Sequence, residues 1–449
     1  MLSNLSVELV QEIGKQLPRA DHANLRAACK DLNVLIGPLF FEVLVLNTNT
    51  LLLSSDGVHL LETLAGGKSG WTHHAKTLKI SSGTPSTPYG EEFAEQKLQI
   101  SEHEAQNLLT RALAGLPNIR AATWCVFHVG ATECGSMHWE RATICPKSLH
   151  RFSLTSPNLD DSWYQDPDSP RKFVAYEQIT QLVAQNSQLT VLHLDTQDEW
   201  NRIWAALRVN GNPEIKLREI SSHVSLELFS YVASYSGIEK ITLNYPDAGS
   251  ENQSNLLADK FFEALSRHAS SLVELSCPAA YENRFSFGTH NVDVVSRLRN
   301  LGKLEMSINA RTTRIVHEPE EQVHLDGNYK RVPVLAPIGI TVKAEQSEVD
   351  ACVNLLLDTA AGLPALHTLV IRSADTEKNR GAWCGNGRIN HTRAVDEAIG
   401  QAIKSFRTSV LSCGIVIAGC HTHELQATQD HDLGGSWAYR ETGIAPREY

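Results

Sequence analysis

Cysteine, histidine and carboxylate side chains that lie close in sequence can hold a metal, and one such group lies near the C-terminus. The run Cys420-His421-Thr422-His423-Glu424 places two imidazoles two residues apart, and His431 follows. On a strand these rings would point the same way, but the nearby sequence lacks the further ligands that a tetrahedral site needs. We therefore predict no metal, and a solvated tail over residues 421–449.

Motifs for nucleophilic or phosphate chemistry are also absent from the sequence. The glycine-rich segment 381–387 lacks the lysine of a phosphate-binding loop, so we predict a flexible surface loop there. Cys29 stands in an apolar context inside a predicted helix, which favours packing over nucleophilic chemistry. No Ser-His-Asp set can be assembled from the sequence. We predict no catalytic residue, no cofactor and no enzymatic activity.

Composition limits the class of protein. The formal net charge of -11, without any cluster of lysine and arginine, argues against nucleic-acid binding. Nine cysteines without a C-x-x-C pair are typical of reduced thiols, which predicts an intracellular protein, cytoplasmic or nuclear. Glu8, Glu12 and Lys15 argue against a signal peptide, and the longest nearly apolar run, 410–420, is shorter than the roughly 18 residues that a membrane span needs.

The N-terminal residues predict a capped amphipathic helix. Ser6 is its predicted cap, Glu8 favours the first turn, and Pro18 ends it. Residues at three- and four-residue steps form one apolar stripe, namely Leu9, Val10, Ile13 and Leu17.

Two further short helices are predicted before residue 46. Asp21 is the predicted cap of the second, whose Leu25 and Ala28 face inward. The third carries Leu32, Leu35 and Ile36, and Gly37-Pro38 ends it. Three short helices bury too little apolar surface to be stable alone, so this unit needs a partner.

The order of residues in this stretch resembles an F-box, the helical module that docks substrate receptors on the Skp-type adaptor of cullin-RING ubiquitin ligases. The residues that carry the resemblance are Leu5, Glu8-Leu9, Ile13, Leu17, Leu25, Cys29-Lys30, Leu32, Phe40-Phe41 and 43–46. F-boxes usually have proline after the first leucine, and this chain has Ser6 there. The resemblance implies adaptor and cullin partners, with the adaptor bound by Leu5, Ser6, Leu9, Ile13, Leu25, Ala28, Cys29 and Leu32. The alternative is an N-terminal helical cap on the downstream domain.

Beyond a connector at 47–75, amphipathic helices alternate with short apolar strands, which predicts an α/β fold. The predicted helices are 102–114, 176–185, 200–209, 226–235, 256–268, 292–298, 349–360 and 394–406. The predicted strands are 77–80, 119–126, 149–154, 189–194, 217–220, 238–243, 272–275, 304–308, 366–371 and 414–417.

The alternation contains a repeat. Residues 107–117 and 354–364 are identical at seven of eleven positions, and each segment precedes a predicted strand. Shorter versions of the form x-L-x-x-L begin at Gln188 and Ser271. This pattern resembles an irregular leucine-rich repeat, which implies an α/β solenoid over 76–420. A closed β/α barrel is the alternative, in which Asp195, Arg372 and Asp375, after predicted strands, would be catalytic groups rather than turn residues.

Two polar insertions interrupt the repeats, at 156–172 and 311–345. Long loops in compact domains are often functional, so we predict that they contact a target protein, through Trp163, Tyr164, Glu320, Glu321 and Arg331. The sequence as a whole predicts the substrate-recognition subunit of an SCF-type ubiquitin ligase. The alternatives are a barrel enzyme and an F-box scaffold protein outside ubiquitin transfer.

Overall fold

Serine caps and alternating apolar residues define the secondary structure. In the computed structural model, Ser6, Ser54, Ser101, Ser225 and Ser250 each accept a hydrogen bond from a first-turn amide of the helix that follows. Several of the described strands bury alternate side chains, the pattern of a sheet with one face packed on a core.

The structure describes residues 5–47, 54–81, 100–125, 148–155, 176–195, 200–208, 215–310, 313–318, 321–325, 331–335, 339–380, 386–408, 415–419, 423–430 and 436–444. The chain divides into two compact units, Met1–Ser222 and His223–Tyr449. No helix in these ranges combines the length and the apolar character that a membrane crossing requires.

The first unit opens with three helices, α1 (Val7–Lys15), α2 (Arg19–Ala28) and α3 (Lys30–Phe40). Its later elements are β1 (Val43–Asn47), α4 (Ser55–Ala65), α5 (Gly70–His74), β2 (Thr77–Ser81), α6 (Glu102–Ala114), β3 (Ala121–Cys125), β4 (Arg151–Thr155), α7 (Tyr176–Gln185), β5 (Val191–Asp195), α8 (Asn201–Ala206) and β6 (Glu219–Ser222). The strands β1 to β6 pair in parallel, in chain order.

The second unit continues the alternation and then becomes antiparallel. Its elements are α9 (Leu226–Val232), β7 (Lys240–Leu243), α10 (Glu251–Leu265), β8 (Glu274–Cys277), α11 (Val292–Val295), β9 (Lys303–Ile308), β10 (Thr313–Glu318), β11 (Glu321–Leu325), β12 (Arg331–Leu335), β13 (Gly339–Ala344), α12 (Gln346–Ala361), β14 (Thr368–Ser373), α13 (Asn386–Ser405), β15 (Arg407–Thr408), β16 (Val416–Gly419), β17 (His423–Asp430) and β18 (Ser436–Ile444). Parallel pairing runs β7-β8-β9-β14-β16, and β17, β18 and β15 add antiparallel strands.

The predicted α/β class is confirmed. Eleven strands take part in parallel pairing, six in the first unit and five in the second. The barrel alternative is wrong, because the described strands form an open series in which β1 pairs only with β2. The likeness to leucine-rich repeats stays a prediction.

One packing pattern recurs at the start of the strands. Each of nine strands begins two residues after a buried aliphatic side chain, and these side chains are Ala75, Ile119, Leu149, Leu189, Leu217, Ile238, Leu272, Leu301 and Leu366. In β5, for example, Leu189 precedes the buried pair Leu192 and Leu194. The leading residue packs in the core but is not part of the strand. Because it is apolar, the sequence pattern includes it, and several predicted strands therefore begin two residues too early.

Polar side chains near three of these leading residues bond to the backbone at the start of the preceding strand. Ser148 Oγ donates to the Ile119 carbonyl at 3.1 Å, and Ser271 Oγ donates to the Ile238 carbonyl at 2.7 Å. The carboxamide oxygen of the buried Asn186 accepts a hydrogen bond from the Leu149 amide at 2.8 Å. Such bonds satisfy backbone groups that the strand ladder leaves open.

The structure corrects several predicted boundaries. Helix α2 begins after Pro18 rather than at Asp21, and α3 continues through Gly37 and Pro38 to Phe40. The sequence predicts an irregular polar insertion at 311–345, but the described parts of this segment pair as β10 with β13 and β11 with β12. Likewise, the predicted solvated tail contains β17 and β18.

Candidate functional site

Helix α1 carries an exposed apolar surface. Leu5, Val7, Leu9 and Ile13 are 39%, 47%, 53% and 45% exposed. The helix is held by the Ser6 hydroxyl, which accepts from the Leu9 amide at 3.4 Å. Large aliphatic side chains grouped on one short helix leave apolar area in water that a partner could cover.

The opposite side of α1 packs into a small core. Val10 is 4% exposed and lies with Leu32 and Ile36, and the half-buried Leu25, Leu35 and Leu39 pack around them. The predicted stripe therefore splits, because Val10 faces the core while Leu9 and Ile13 face water.

A buried histidine fixes the angle between α1 and α2. His22 Nε2 lies 2.7 Å from the Gly14 carbonyl, so this nitrogen carries the proton and donates to it. Gly14 itself is close to α3, where a Cβ would come within 2.7 Å of Leu39 Cδ1. Close helix packing thus presents α1 in one orientation.

Two predictions about this module are wrong. Ala28 is exposed rather than inward-facing, and Cys29 is exposed rather than inside a helix. Cys29 caps α3 instead, where its sulfur accepts from the Leu32 amide at 3.5 Å. Of the eight predicted adaptor-binding residues, Leu5, Ser6, Leu9 and Ile13 are exposed on α1 or directly before it, whereas Leu25 and Leu32 belong to the module core.

Aromatic contacts join the N-terminal helices to α5. The Arg26 guanidinium lies 4.4 Å above the Phe40 ring and 4.3 Å above the Phe41 ring. Phe41 also meets Trp71 of α5 edge to face, with centroids 5.0 Å apart. Specific packing therefore attaches the N-terminal helices to α5.

The sheet of the first unit carries a polar network across three adjacent strands. His193 on β5 lies directly opposite Ser153 on β4. A carboxylate only accepts, so His193 Nε2 donates to Glu219 Oε1 at 2.9 Å. The other ring nitrogen, Nδ1, then accepts from the Ser153 hydroxyl at 3.4 Å. Arg151 donates to the second Glu219 oxygen at 3.2 Å, and Ser221 donates to Asp195 at 2.6 Å.

The second unit has paired charges on the corresponding strand positions. Arg372 donates to Glu305 at 3.0 Å, and Ser276 donates to the other oxygen of that carboxylate at 2.9 Å. Lys240 on β7 pairs with Glu274 on β8. These charges neutralise one another across strands, so both sheets present polar groups in fixed positions rather than a field of one sign.

A third polar cluster lies where the strands of the second unit end. Arg380 donates to Asp247 through both terminal nitrogens and to Glu377, and its guanidinium lies 4.2 Å above the Tyr281 ring. Burial alone would raise the pKa of Asp247, but Arg380 outweighs it and the pKa is lowered. Tyr245, two residues before Asp247, has a φ of 45° and an exposed ring. A bulky side chain in this left-handed region is strained, so the ion pairs fix an unfavourable loop.

The predicted barrel residues hold turns and sheet pairs instead. Asp375 accepts from the Thr376 amide at 2.8 Å and from Asn379 at 2.7 Å, which is a turn role. Asp195 and Arg372 belong to the sheet networks given above. Of the predicted target-binding residues, Trp163, Tyr164 and Glu320 lie outside the described residues, whereas Glu321 and Arg331 open β11 and β12.

The described residues contain no group of three or more histidine, cysteine or carboxylate side chains that could hold a metal. Buried thiols are poor ligands here, because burial raises the pKa of Cys277 and raises that of Cys352 to about 11. The network of Ser153, His193 and Glu219 was not predicted. The sequence shows only polar residues at alternate positions of the strands. The register that brings these residues together depends on pairing between strands that are far apart in sequence.

Comparison with known proteins assigns no relationship. No model of a known protein family matches the chain, and a search of curated proteins finds no significant match.

Proposed function

We propose that this chain is the substrate-recognition subunit of a cullin-RING ubiquitin ligase. It docks a Skp-type adaptor through α1 and binds a target protein through the polar sheet faces of its repeats. The observation that supports this proposal most directly is the exposed apolar surface of Leu5, Leu9 and Ile13 on a helix whose other side is buried. An N-terminal cap that only covers its own domain would turn these side chains inward.

The sheet faces supply what target recognition requires. Arg151, His193, Glu219 and Glu305 are held by cross-strand bonds, so little side-chain freedom is lost when a partner covers them. Because the charges on these faces are paired, the choice of target depends on the positions of hydrogen-bond donors and acceptors rather than on the net charge of the face. Cullin recruitment through the adaptor follows from the same proposal.

A double substitution tests adaptor docking. Leu9→Asp/Ile13→Asp places two charges on the α1 surface, and buried interface anchors contribute about 2 kcal/mol or more each. We expect adaptor affinity, measured by calorimetry with purified Skp-type adaptor, to fall more than tenfold. The melting temperature should change little, because both side chains already face water.

The matched control is Leu226→Asp/Leu256→Asp, which changes two exposed leucines on α9 and α10. This control should bind the adaptor like the unmodified chain. Adaptor binding that the α1 variant retains would refute the proposal. A structural cap would be supported if the unmodified chain did not bind the adaptor and the α1 variant melted at a much lower temperature. Adaptor binding without co-purifying cullin would place the chain among F-box scaffold proteins.

A further inference from the structure

We propose that Ser153 is a base-activated nucleophile that reacts with activated acyl esters and with phosphonyl electrophiles. His193 and Glu219 also belong to the proposed target-binding face, but the reactivity proposed for Ser153 requires no bound partner and is tested without one. Hydrogen bonds connect these side chains in the order hydroxyl, imidazole, carboxylate, an arrangement that activates serine in unrelated folds.

The hydrogen-bond directions determine the role of each group. Glu219 holds the Nε2–H of His193, so Nδ1 presents its lone pair to the Ser153 hydroxyl. The distance of 3.4 Å between Oγ and Nδ1 exceeds the roughly 2.6–3.2 Å of a productive pair, and such pairs often tighten only when substrate binds. Arg151 donates to the second Glu219 oxygen at 3.2 Å, which fixes the position of the carboxylate.

The strands position these groups without loops. Ser153 and His193 are register partners on β4 and β5, and Glu219 lies on β6 opposite Val191. Side chains at alternate strand positions share a face, so Arg151 and Ser153 also stand together on β4. A rigid sheet holds such a constellation more precisely than a loop does.

The chemistry balances without a cofactor. Ser153 Oγ attacks the acyl carbon, and its proton passes to His193 Nδ1. The bond to the leaving alcohol breaks, and the alcohol departs with that proton, which leaves an acyl ester on Ser153. Water can later cleave this ester, with His193 again taking the proton.

The sheet also limits the reaction. The parallel ladder on both sides of β4 uses the backbone groups around Ser153, so these amides form no oxyanion hole. We therefore infer a stoichiometric adduct with reactive esters and phosphonates rather than rapid turnover. Glu219 and Arg151 act through His193 and are positioning residues.

A fluorophosphonate probe tests the proposal on the full-length folded chain. Ser153 Oγ attacks phosphorus, the P–F bond breaks, and fluoride leaves while His193 takes the hydroxyl proton. Intact mass spectrometry and peptide mapping should show one adduct, on Ser153, and heat-denatured protein should not react. Ser153→Ala should abolish labelling, and His193→Gln should slow it by about 100-fold, as expected for loss of a general base. Glu219→Gln should also slow labelling, and Glu219→Asp, which keeps the carboxylate, should recover part of the rate.

Ser221→Ala is the matched control. Ser221 stands on the neighbouring strand, directly opposite His193, and is as buried as Ser153, but its hydroxyl donates to a carboxylate. This variant should react at the unmodified rate. Circular dichroism and melting temperature identify any variant that fails to fold. No labelling of the unmodified chain, labelling that survives Ser153→Ala, or equal labelling of Ser221 would overturn the proposal.

Discussion

Arg380 is the residue whose replacement should cost the most stability in the polar cluster of the second unit. Its side chain is 19% exposed, and that of its partner Asp247 is 22% exposed. Exposed ion pairs contribute about 0–1 kcal/mol, whereas removal of one partner from a buried pair costs about 3–5 kcal/mol. Arg380 also bonds Glu377 and stacks on Tyr281. For Arg380→Met we expect a loss of about 2–4 kcal/mol in the free energy of unfolding.

The pH dependence of this loss follows from Asp247. Its pKa is lowered in the folded chain, so the pair stabilises the fold above the unfolded pKa of about 4. That contribution disappears as pH falls through the folded pKa. In Arg380→Met the carboxylate of Asp247 stays buried without its cation, so its pKa is higher there than in the unmodified chain. The difference in stability between the two chains should therefore be largest at neutral pH and should shrink as acid protonates Asp247.

Urea unfolding, followed by circular dichroism at several pH values, measures both effects. Lys378→Met is the matched control, because Lys378 lies in the same short turn, carries the same charge and is exposed. We expect this control to change stability by no more than about 0.5 kcal/mol. An Arg380→Met loss as small as that of the control, or one that persists unchanged in acid, would refute the reasoning.

Three further predictions concern buried groups. Gly70→Ala should destabilise the first unit by about 1–3 kcal/mol, because the added Cβ would collide with the Phe41 ring. Gly37→Ala is its control and should be neutral or stabilising, because a Cβ there meets no atom within 4 Å. Urea unfolding measures both variants. Asn186→Ala should cost about 1–3 kcal/mol in the same assay, because it leaves the Leu149 amide unpaired. Burial lowers the pKa of His268, so the folded chain should lose stability as pH falls from 7 to 5, and His268→Gln should flatten that dependence in melting experiments.

The sequence by itself predicted ten of the strands and most of the helices, in their order along the chain. Helices α6 and α7 have the predicted bounds, and each of the ten predicted strands overlaps a strand of the structure. This success has a local cause, because capping serines and alternating leucines act within a few residues of the element they define. The repeated segments at 107–117 and 354–364 each end a helix at a glycine, Gly115 and Gly362.

Only the tertiary structure determined the features that depend on residues far apart in sequence, namely strand pairing, the polar network and the burial of the α1 side chains. Residues 313–344 are polar enough to suggest a loop, yet β10 finds its partner β13 about twenty residues later. Register alone brings Ser153, His193 and Glu219 together from three strands. The stripe of α1 divides into exposed and buried sides because α3 covers Val10 and leaves Leu9 in water. Local periodicity shows that a side chain is apolar, but only packing determines what covers it.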